Sequence, residues 1–566
     1  MKTTGHRSLF FAALCLALRV ALGGAASAQA QAQAPPMPTI VEGEDWTFPS
    51  GIPDSPQGGL RNLGFRFVAP EAPLLKSSLV IVWWGDKMNP RPGVFDFSSI
   101  DVRLSEIAAA GKRGGLYIVN WNTKGIPAWV DIPRSHSMVN PFQRPFMDAY
   151  KQLIVALGNR YAADPRVEDV RMCTFMSGET LWLPEQYKTD CGYEPTGREV
   201  REYIREIVAA YEAAFPFEKL VFHVGNVGNH FAEQWRRRGG ALSQGGLPAW
   251  WPRAFSYGGH YDIVQQKLVP MYPPVVLIPE LEGESWFGRG KVNEETFRFY
   301  VLWAAALHCK YLSMHPQVLS EGEKNYEKLF YGEQKDFVHE PYFKPLCQWA
   351  NKNLGTQVEN APEAFAALTQ AHPGLSAEHT YLRRESDWPI SKCIGAVCQP
   401  NRLPPNWERR RFCVNNVERF LYEDIVLDGS VPCDRSELVG MFNEENGKQI
   451  SVARRTDRAG GKDYLCFDID DRFIFDQVLP VQIRVSYVDR GQAAWQVEYD
   501  GGDATGILKT QAVANTGTDA VKTAIFTVTD GRFGNNVPGM LDFRIYNGGK
   551  EDVVVRLVRV VKLPTP

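Results

Sequence analysis

Ser78-Leu-Val-Ile-Val-Trp-Trp-Gly85, Ile100-Asp-Val-Arg-Leu-Ser-Glu-Ile-Ala-Ala-Ala-Gly-Lys-Arg113 and Gly115-Leu-Tyr-Ile-Val-Asn-Trp-Asn122 follow one another along the chain. The first and third are short apolar runs rich in β-branched and aromatic residues, too short for helices, and read as buried strands. The second carries an apolar stripe at helical spacing. Strand, helix and strand in that succession form a parallel βα unit.

The alternation continues outward. Val170 to Ser177, Lys219 to Asn226, Val275 to Leu281 and Lys310 to Pro316 read as further buried strands. Between them, Arg144 to Pro165, Arg198 to Phe215 and Glu294 to His308 read as helices, the first with a Pro in its opening turn. Units of roughly thirty residues sustained from Leu60 to about Leu354 match a (β/α)₈ TIM barrel. An open doubly wound sheet is the rival, but it usually shows a Gly-rich phosphate turn after its first strand, and none is present.

Beyond a Pro-containing stretch at Gly355 to Ser376 the helical period disappears. Val481 to Gly491, Ala494 to Gly502, Lys522 to Phe533, Met540 to Gly549 and Asp552 to Lys562 alternate apolar and polar residues and close in turns. That is the signature of an antiparallel β-sandwich. The expected architecture is therefore a barrel over 41–370 followed by an all-β sandwich over 381–566, the latter a separable unit.

The N-terminus reads as an export signal, with Lys2 and Arg7 basic, Leu9 to Leu22 mostly apolar, and Ala26-Ser27-Ala28 fitting the cleavage rule. Arg19 interrupts the apolar run, against a membrane anchor. The expectation is a signal peptide over 1–28, a disordered Ala/Gln/Pro tether over 29–40, and a secreted or periplasmic protein that leaves the membrane on cleavage. A net charge of −3 without a long basic run argues against nucleic acid as a partner. With 15 Trp and 21 Tyr in a charge-balanced chain, the composition fits sugar binding, because flat rings stack on pyranose faces. Cys173, Cys191, Cys309 and Cys347 read as core thiols. Those from Cys393 onward lie in loop-like sequence where an oxidising compartment would permit disulfides. Their spacings do not pair as zinc-binding couples, so no metal is expected.

Trp83-Trp84-Gly85-Asp86-Lys87-Met88-Asn89-Pro90-Arg91-Pro92-Gly93-Val94-Phe95-Asp96-Phe97, with Ile126-Pro127-Ala128-Trp129, resembles the second strand and loop of clan A glycoside hydrolases, particularly β-galactosidase-like members. The resemblance is good over about 78 to 180 and thinner beyond. It implies a retaining hydrolase of a poly- or oligosaccharide with two Glu and no cofactor. One Glu protonates the departing oxygen, and the other attacks the anomeric carbon from about 5 to 5.5 Å away. In a barrel such groups sit at the C-terminal ends of strands. Glu179, after the fourth strand and close to Trp182, matches the acid/base position, although Gly178 stands where the family usually has Asn. The nucleophile falls in Glu280-Leu-Glu282-Gly-Glu284 at the seventh strand, where Glu280 aligns best, Glu282 would share its face, and Glu284 reads as a loop residue.

Trp84, Asn120, Trp121, Asn226, Tyr257, Trp286 and His315, with Trp182, are the expected substrate-binding residues at strand ends, where Asn122 and His223 also fall. Tyr257, His260, Tyr261 and Asp262 fall where strand six should end, and in the clan a Tyr there steadies the nucleophile. The sandwich resembles jelly-roll domains appended to polysaccharide-degrading enzymes, some of which bind carbohydrate or a structural calcium. Two other functions stay open on the residues alone. A non-catalytic carbohydrate-binding protein would keep the aromatic cleft without the carboxylate pair. A polysaccharide lyase would need a basic-lined site with Tyr or His as base. No Gly-x-Ser-x-Gly, His-Glu-x-x-His, Walker or dinucleotide motif is present.

Overall fold

The computed structural model describes residues 35–63, 74–120, 122–135, 138–175, 188–189, 192–224, 231–232, 234–235, 238–244, 277–281, 294–306, 308–314, 343–369, 416–438, 448–502 and 506–564.

The first strand, β1 (Thr39–Glu42), is followed by eight parallel strands that close into a barrel: β2 (Gly59–Asn62), β3 (Leu75–Trp83), β4 (Arg113–Val119), β5 (Val167–Met172), β6 (Leu220–Val224), β7 (Ala241–Gln244), β8 (Leu277–Leu281) and β9 (Tyr311–Met314). Closure comes from β9 pairing back onto β2, with Arg61 opposite Ser313. Helices α1 (Ser98–Ala109), α2 (Arg144–Tyr161), α3 (Gly197–Ala214), α4 (Glu294–Ala306) and α5 (Phe343–Asn353) accompany the strands. Pro145 opens α2, and a reciprocal capping box between Thr196 and Glu199 starts α3. No helix among the described residues is long and apolar enough to cross a membrane.

The barrel's count and order agree with the sequence pattern except at strand six. That strand is Ala241–Gln244, so Tyr257, His260, Tyr261 and Asp262 do not mark its end and lie outside the described residues. With only four residues, Ala-Leu-Ser-Gln, it offers no apolar run to recognise.

The remaining strands are β10 (Glu363–Ala367), β11 (Val417–Arg419), β12 (Leu421–Glu423), β13 (Val431–Leu438), β14 (Lys448–Arg455), β15 (Tyr464–Ile469), β16 (Val481–Val488), β17 (Ala494–Asp500), β18 (Ile507–Lys509), β19 (Val513–Ala514), β20 (Val521–Val528), β21 (Phe543–Tyr546) and β22 (Val554–Lys562). They form two antiparallel sheets: a larger one ordered β1-β20-β16-β22-β10-β11 with β13 and β14 attached, and a smaller one ordered β12-β15-β21-β17-β18 with β19. Ile483, Val485, Phe526, Val558 and Val560 of the larger sheet meet Leu465, Phe467, Trp495, Val497 and Phe543 of the smaller in one core.

Three expected boundaries are corrected here. Thr39 and Ile40 are not tether but strand, paired with Ile525 and Ala524. β10, inside the span assigned to the barrel, is an interior strand of the larger sheet between β22 and β11. The sandwich is therefore not the span 381–566 alone, because two of its strands precede residue 381. Cys173, Cys309 and Cys347 are buried thiols, as read from sequence. Cys433 and Cys466 are free thiols too, while Cys191, Cys393, Cys398 and Cys413 lie outside the described residues.

The larger sheet is covered on both faces. Along β10, Ala364 and Ala366 point into the sandwich core while Phe365 and Ala367 join the barrel's outer core. Val417, Val452 and Leu557 also pack on the barrel side. At that seam Trp349 of α5 donates to Glu363, which also takes the Arg559 guanidinium (Nε 2.9 Å).

Candidate active site

Side chains along a barrel strand alternate between the interior and the helix layer. On β3, Leu79 and Ile81 face inward with Leu63, Tyr117, Val119 and Cys173. Val80, Val82 and Trp84 belong to the outer core with the helices. Trp84 is fully buried, its rings 5.9 and 5.6 Å from Phe146 and Tyr150 and its Nε1 donating to Asn89 Oδ1 at 3.2 Å. A ring enclosed on all sides offers no face to a sugar, so the expected substrate-binding role of Trp84 is overturned. The neighbouring Trp83 is 43% exposed at the C-terminal end of the strand. The two-residue alternation of the strand is the sequence signal that singles out Trp83 rather than Trp84.

The lower barrel holds a cluster of charged side chains. A bulge between Gly114 and Gly115 sets Val167 and Asp169 against successive residues of β4, leaving Glu168 unpaired in the ladder. Glu168 and Asp169 both engage Arg61, with Arg61 Nη2 3.4 Å from Glu168. Lys310 at 2.8 Å, Arg113 at 3.3 Å and the Tyr311 hydroxyl at 2.9 Å complete the shell of Glu168. Burial alone would raise the Glu168 carboxyl, but Arg61 and Lys310 outweigh it and hold it below its ordinary value. These carboxylates are close together, yet they lie at the strand starts and are saturated with cations. Groups on that face serve stability.

Higher in the barrel, Arg171 lies 4.3 Å over the Tyr117 ring and donates to Ser243 Oγ at 3.0 Å, and His223 of β6 is buried. At the end of β4, Asn120 is 2% exposed and its Nδ2 has no hydrogen-bond partner. A buried unpaired amide costs about 1–3 kcal/mol. Native proteins keep such groups mainly where a water or ligand completes them. Ser313, also buried, has an unpartnered hydroxyl. It stands in register with Glu280, which occupies the fourth of the five positions of β8.

Glu179, Glu282 and Glu284 lie outside the described residues, as do Trp121, Trp182, Asn226, Tyr257, Trp286 and His315. Glu179 comes seven positions after Met172, the last residue of β5. The strand count thus sets one candidate carboxylate after strand four and the other within strand seven. Among the described residues no group of three or more His, Cys, Asp or Glu could hold a metal ion.

No protein-family model matches the chain. No curated protein matches it either. Solved structures similar to it include the catalytic domain of β-amylase from Paenibacillus polymyxa, at 10% identity over 46% of this chain and 91% of that one, with a TM-score of 0.34. Xylanase 10B from Thermotoga petrophila RKU-1 in complex with xylobiose is similar at 10% identity over 52% and 93%, with a TM-score of 0.33. GH10 from Paenibacillus barcinonensis is similar at 14% identity over 51% and 93%, again at 0.33. Likeness of this degree carries no inference about chemistry. The barrel stands on its own strand pairing.

Proposed function

We propose that this chain is a retaining glycoside hydrolase acting on a poly- or oligosaccharide, with Glu179 as acid/base and Glu280, or failing it Glu282, as nucleophile. The observation that carries the reading is the strand count. Glu280 lies in the seventh strand of a closed eight-stranded barrel, and Glu179 comes seven positions after the last residue of the fourth. The strand ends where such groups must converge are the C-terminal ones. The unpaired Asn120 amide at the end of strand three adds a polar group in want of a partner there.

In this reading Glu179 gives its proton to the glycosidic oxygen as the C–O bond breaks, and the strand-seven carboxylate forms a bond to the anomeric carbon. The glycosyl-enzyme is then opened by water, whose proton returns to Glu179, and the sugar leaves with its configuration retained. No cofactor enters. The same reading makes the protein secreted or periplasmic, supported by the Lys2 to Ala28 pattern. The sandwich would be a jelly-roll-like companion to the barrel.

Carboxylate replacement tests this. Glu179→Gln should lower turnover of unactivated substrates by about 10² to 10⁴, the usual share of acid–base catalysis. An activated aryl glycoside, which needs no proton, should still load the enzyme, and added azide should restore its turnover. Glu280→Gln should abolish both reactions. If Glu280→Gln is active and Glu282→Gln dead, the nucleophile moves two residues. If Glu280→Gln, Glu282→Gln and Glu284→Gln all retain activity, double displacement is wrong.

A further inference from the structure

Trp83 is a large apolar side chain left 43% exposed next to a twin that is fully buried. Gly125 lies against the ring so closely that a Cβ there would come within 2.8 Å of it. The loops around it are tied together, with Trp129 Nε1 donating to the Asn89 carbonyl at 2.8 Å and Ala128 N to the Asp86 carboxylate at 2.6 Å. Next to the ring opens a cavity of about 600 Å³, lined by Trp83, Gly125, Asp86, Lys87, Ser98 and Asn122 among others. That volume lies within the usual range of small-ligand sites.

The lining combines one flat aromatic surface with a carboxylate, an ammonium, a hydroxyl and an amide around it. A pyranose ring has the matching form, an apolar C–H face bordered by hydroxyls that both donate and accept. An anionic ligand fits less well. Asp86 and Asp96 both line the cavity, and Asp96 takes the Ser98 N–H at 2.9 Å. Arg103 donates to the Ile81 carbonyl at 2.8 Å.

We infer that the cavity beside Trp83 is a binding subsite for an uncharged pyranose unit of an oligosaccharide, with the indole as its stacking platform. The inference rests on the carbohydrate-directed reading above and extends it to the substrate class and to Trp83.

The test reads binding without turnover. Native gels of the full chain are run with soluble xylan, mannan, galactan or mixed-linkage glucan in the matrix, and with pectin as the acidic counterpart. At least one neutral polysaccharide should retard the wild type. Trp83→Ala should weaken that retardation about tenfold or more, as truncating an aromatic anchor does. Trp83→Phe should keep most of it, and Gly125→Ala, which displaces the ring without removing it, should weaken it too. Melting curves establish that each variant is folded. Retardation by pectin alone, no retardation by any neutral polysaccharide, or Trp83→Ala and Gly125→Ala both binding like wild type would overturn the inference. The glycosidase reading fails separately: binding lost in Trp83→Ala with hydrolysis intact in Glu179→Gln and Glu280→Gln keeps the subsite and removes the proposed catalytic pair.

Discussion

Trp83 and Trp84 are adjacent and chemically identical, and the fold gives them opposite environments. Trp84→Ala empties a closed core site and strands Asn89, so urea denaturation should show a loss of about 3–5 kcal/mol. Trp83→Ala removes a ring that is already half in solvent and should cost less than about 1 kcal/mol. Equal losses would contradict the assigned facing of β3. A second residue-scale prediction concerns a carboxyl cluster in the sandwich. Glu418 is only half-buried as a residue, but its carboxyl takes Asn416 Nδ2 at 3.1 Å and the Glu423 N–H at 2.9 Å. Burial pushes it up to about 8. Asp428 nearby is raised as well, by burial and then by the Glu423 charge. The folded state thus holds a proton that the unfolded chain gives up from pH 4.5 upward. Stability from this group is whole below that pH and declines as pH rises toward 8. Relative to wild type, Glu418→Gln should therefore gain stability progressively between those limits. A difference independent of pH would rule the shift out. The motif around Trp83 and Trp84 was visible in the sequence, but which ring faces solvent depends on strand phase, and a slip of one residue exchanges them.

At the scale of elements, legibility followed length and the size of the apolar side chains. Strands such as Ser78 to Gly85 were plain because they are long and apolar. β10, Glu363-Ala-Phe-Ala-Ala, was not, because a strand buried on both faces shows no polar alternation, and its Pro-flanked Ala-rich sequence looks like linker. β22 shows how an irregular element can serve the seam. Its register against β16 shifts between Ser486 and Tyr487, so that Ser486 pairs Leu557 and Tyr487 pairs Val555, leaving Arg556 unpaired in the ladder. The bulge lets both Arg556 and Leu557 face the barrel while Val555 and Val558 stay in the sandwich core. Arg556 then meets Glu44 at 3.0 Å and also Glu295 of α4, and Arg298 of α4 meets Glu44 at 2.7 Å. Burial would raise the Glu44 carboxyl, but Arg298 and Arg556 outweigh it and hold it below its ordinary value. Arg556→Ala should cost about 3–5 kcal/mol, the usual effect of removing one partner from a buried ion pair. Arg556→Ala with Glu295→Gln should lose less than the sum of the two single changes, because one charge no longer lacks its partner. Additive losses would show that the network is not coupled.

The whole molecule is less divisible than its sequence. A change of period after Gly355 marks where the barrel pattern stops, but the larger sheet takes β1 from before the barrel and β10 from the segment that seems to link the two halves. Its second face packs on the barrel through Phe365, Ala367, Val417, Val452 and Leu557. Sequence patterning reports the period of an element and not which neighbours cover it, so the change of period marks a change of architecture but not the edge of the larger sheet. The consequence can be measured. A fragment of residues 381–566 would lose an edge strand and an interior strand, expose the barrel-facing apolar residues, and deprive Arg559 of Glu363 and the Asp45 carbonyl. Arg559 is 1% exposed, and a buried guanidinium without its anion is among the costlier defects a fold can carry. The fragment should accumulate as insoluble or non-cooperatively melting protein. Calorimetry of the full chain should accordingly show the sandwich and barrel unfolding in one transition, because neither core is closed without the other. Two resolved transitions, with the later one reproduced by a soluble 381–566 fragment, would show that the shared face contributes little and that the sandwich stands alone.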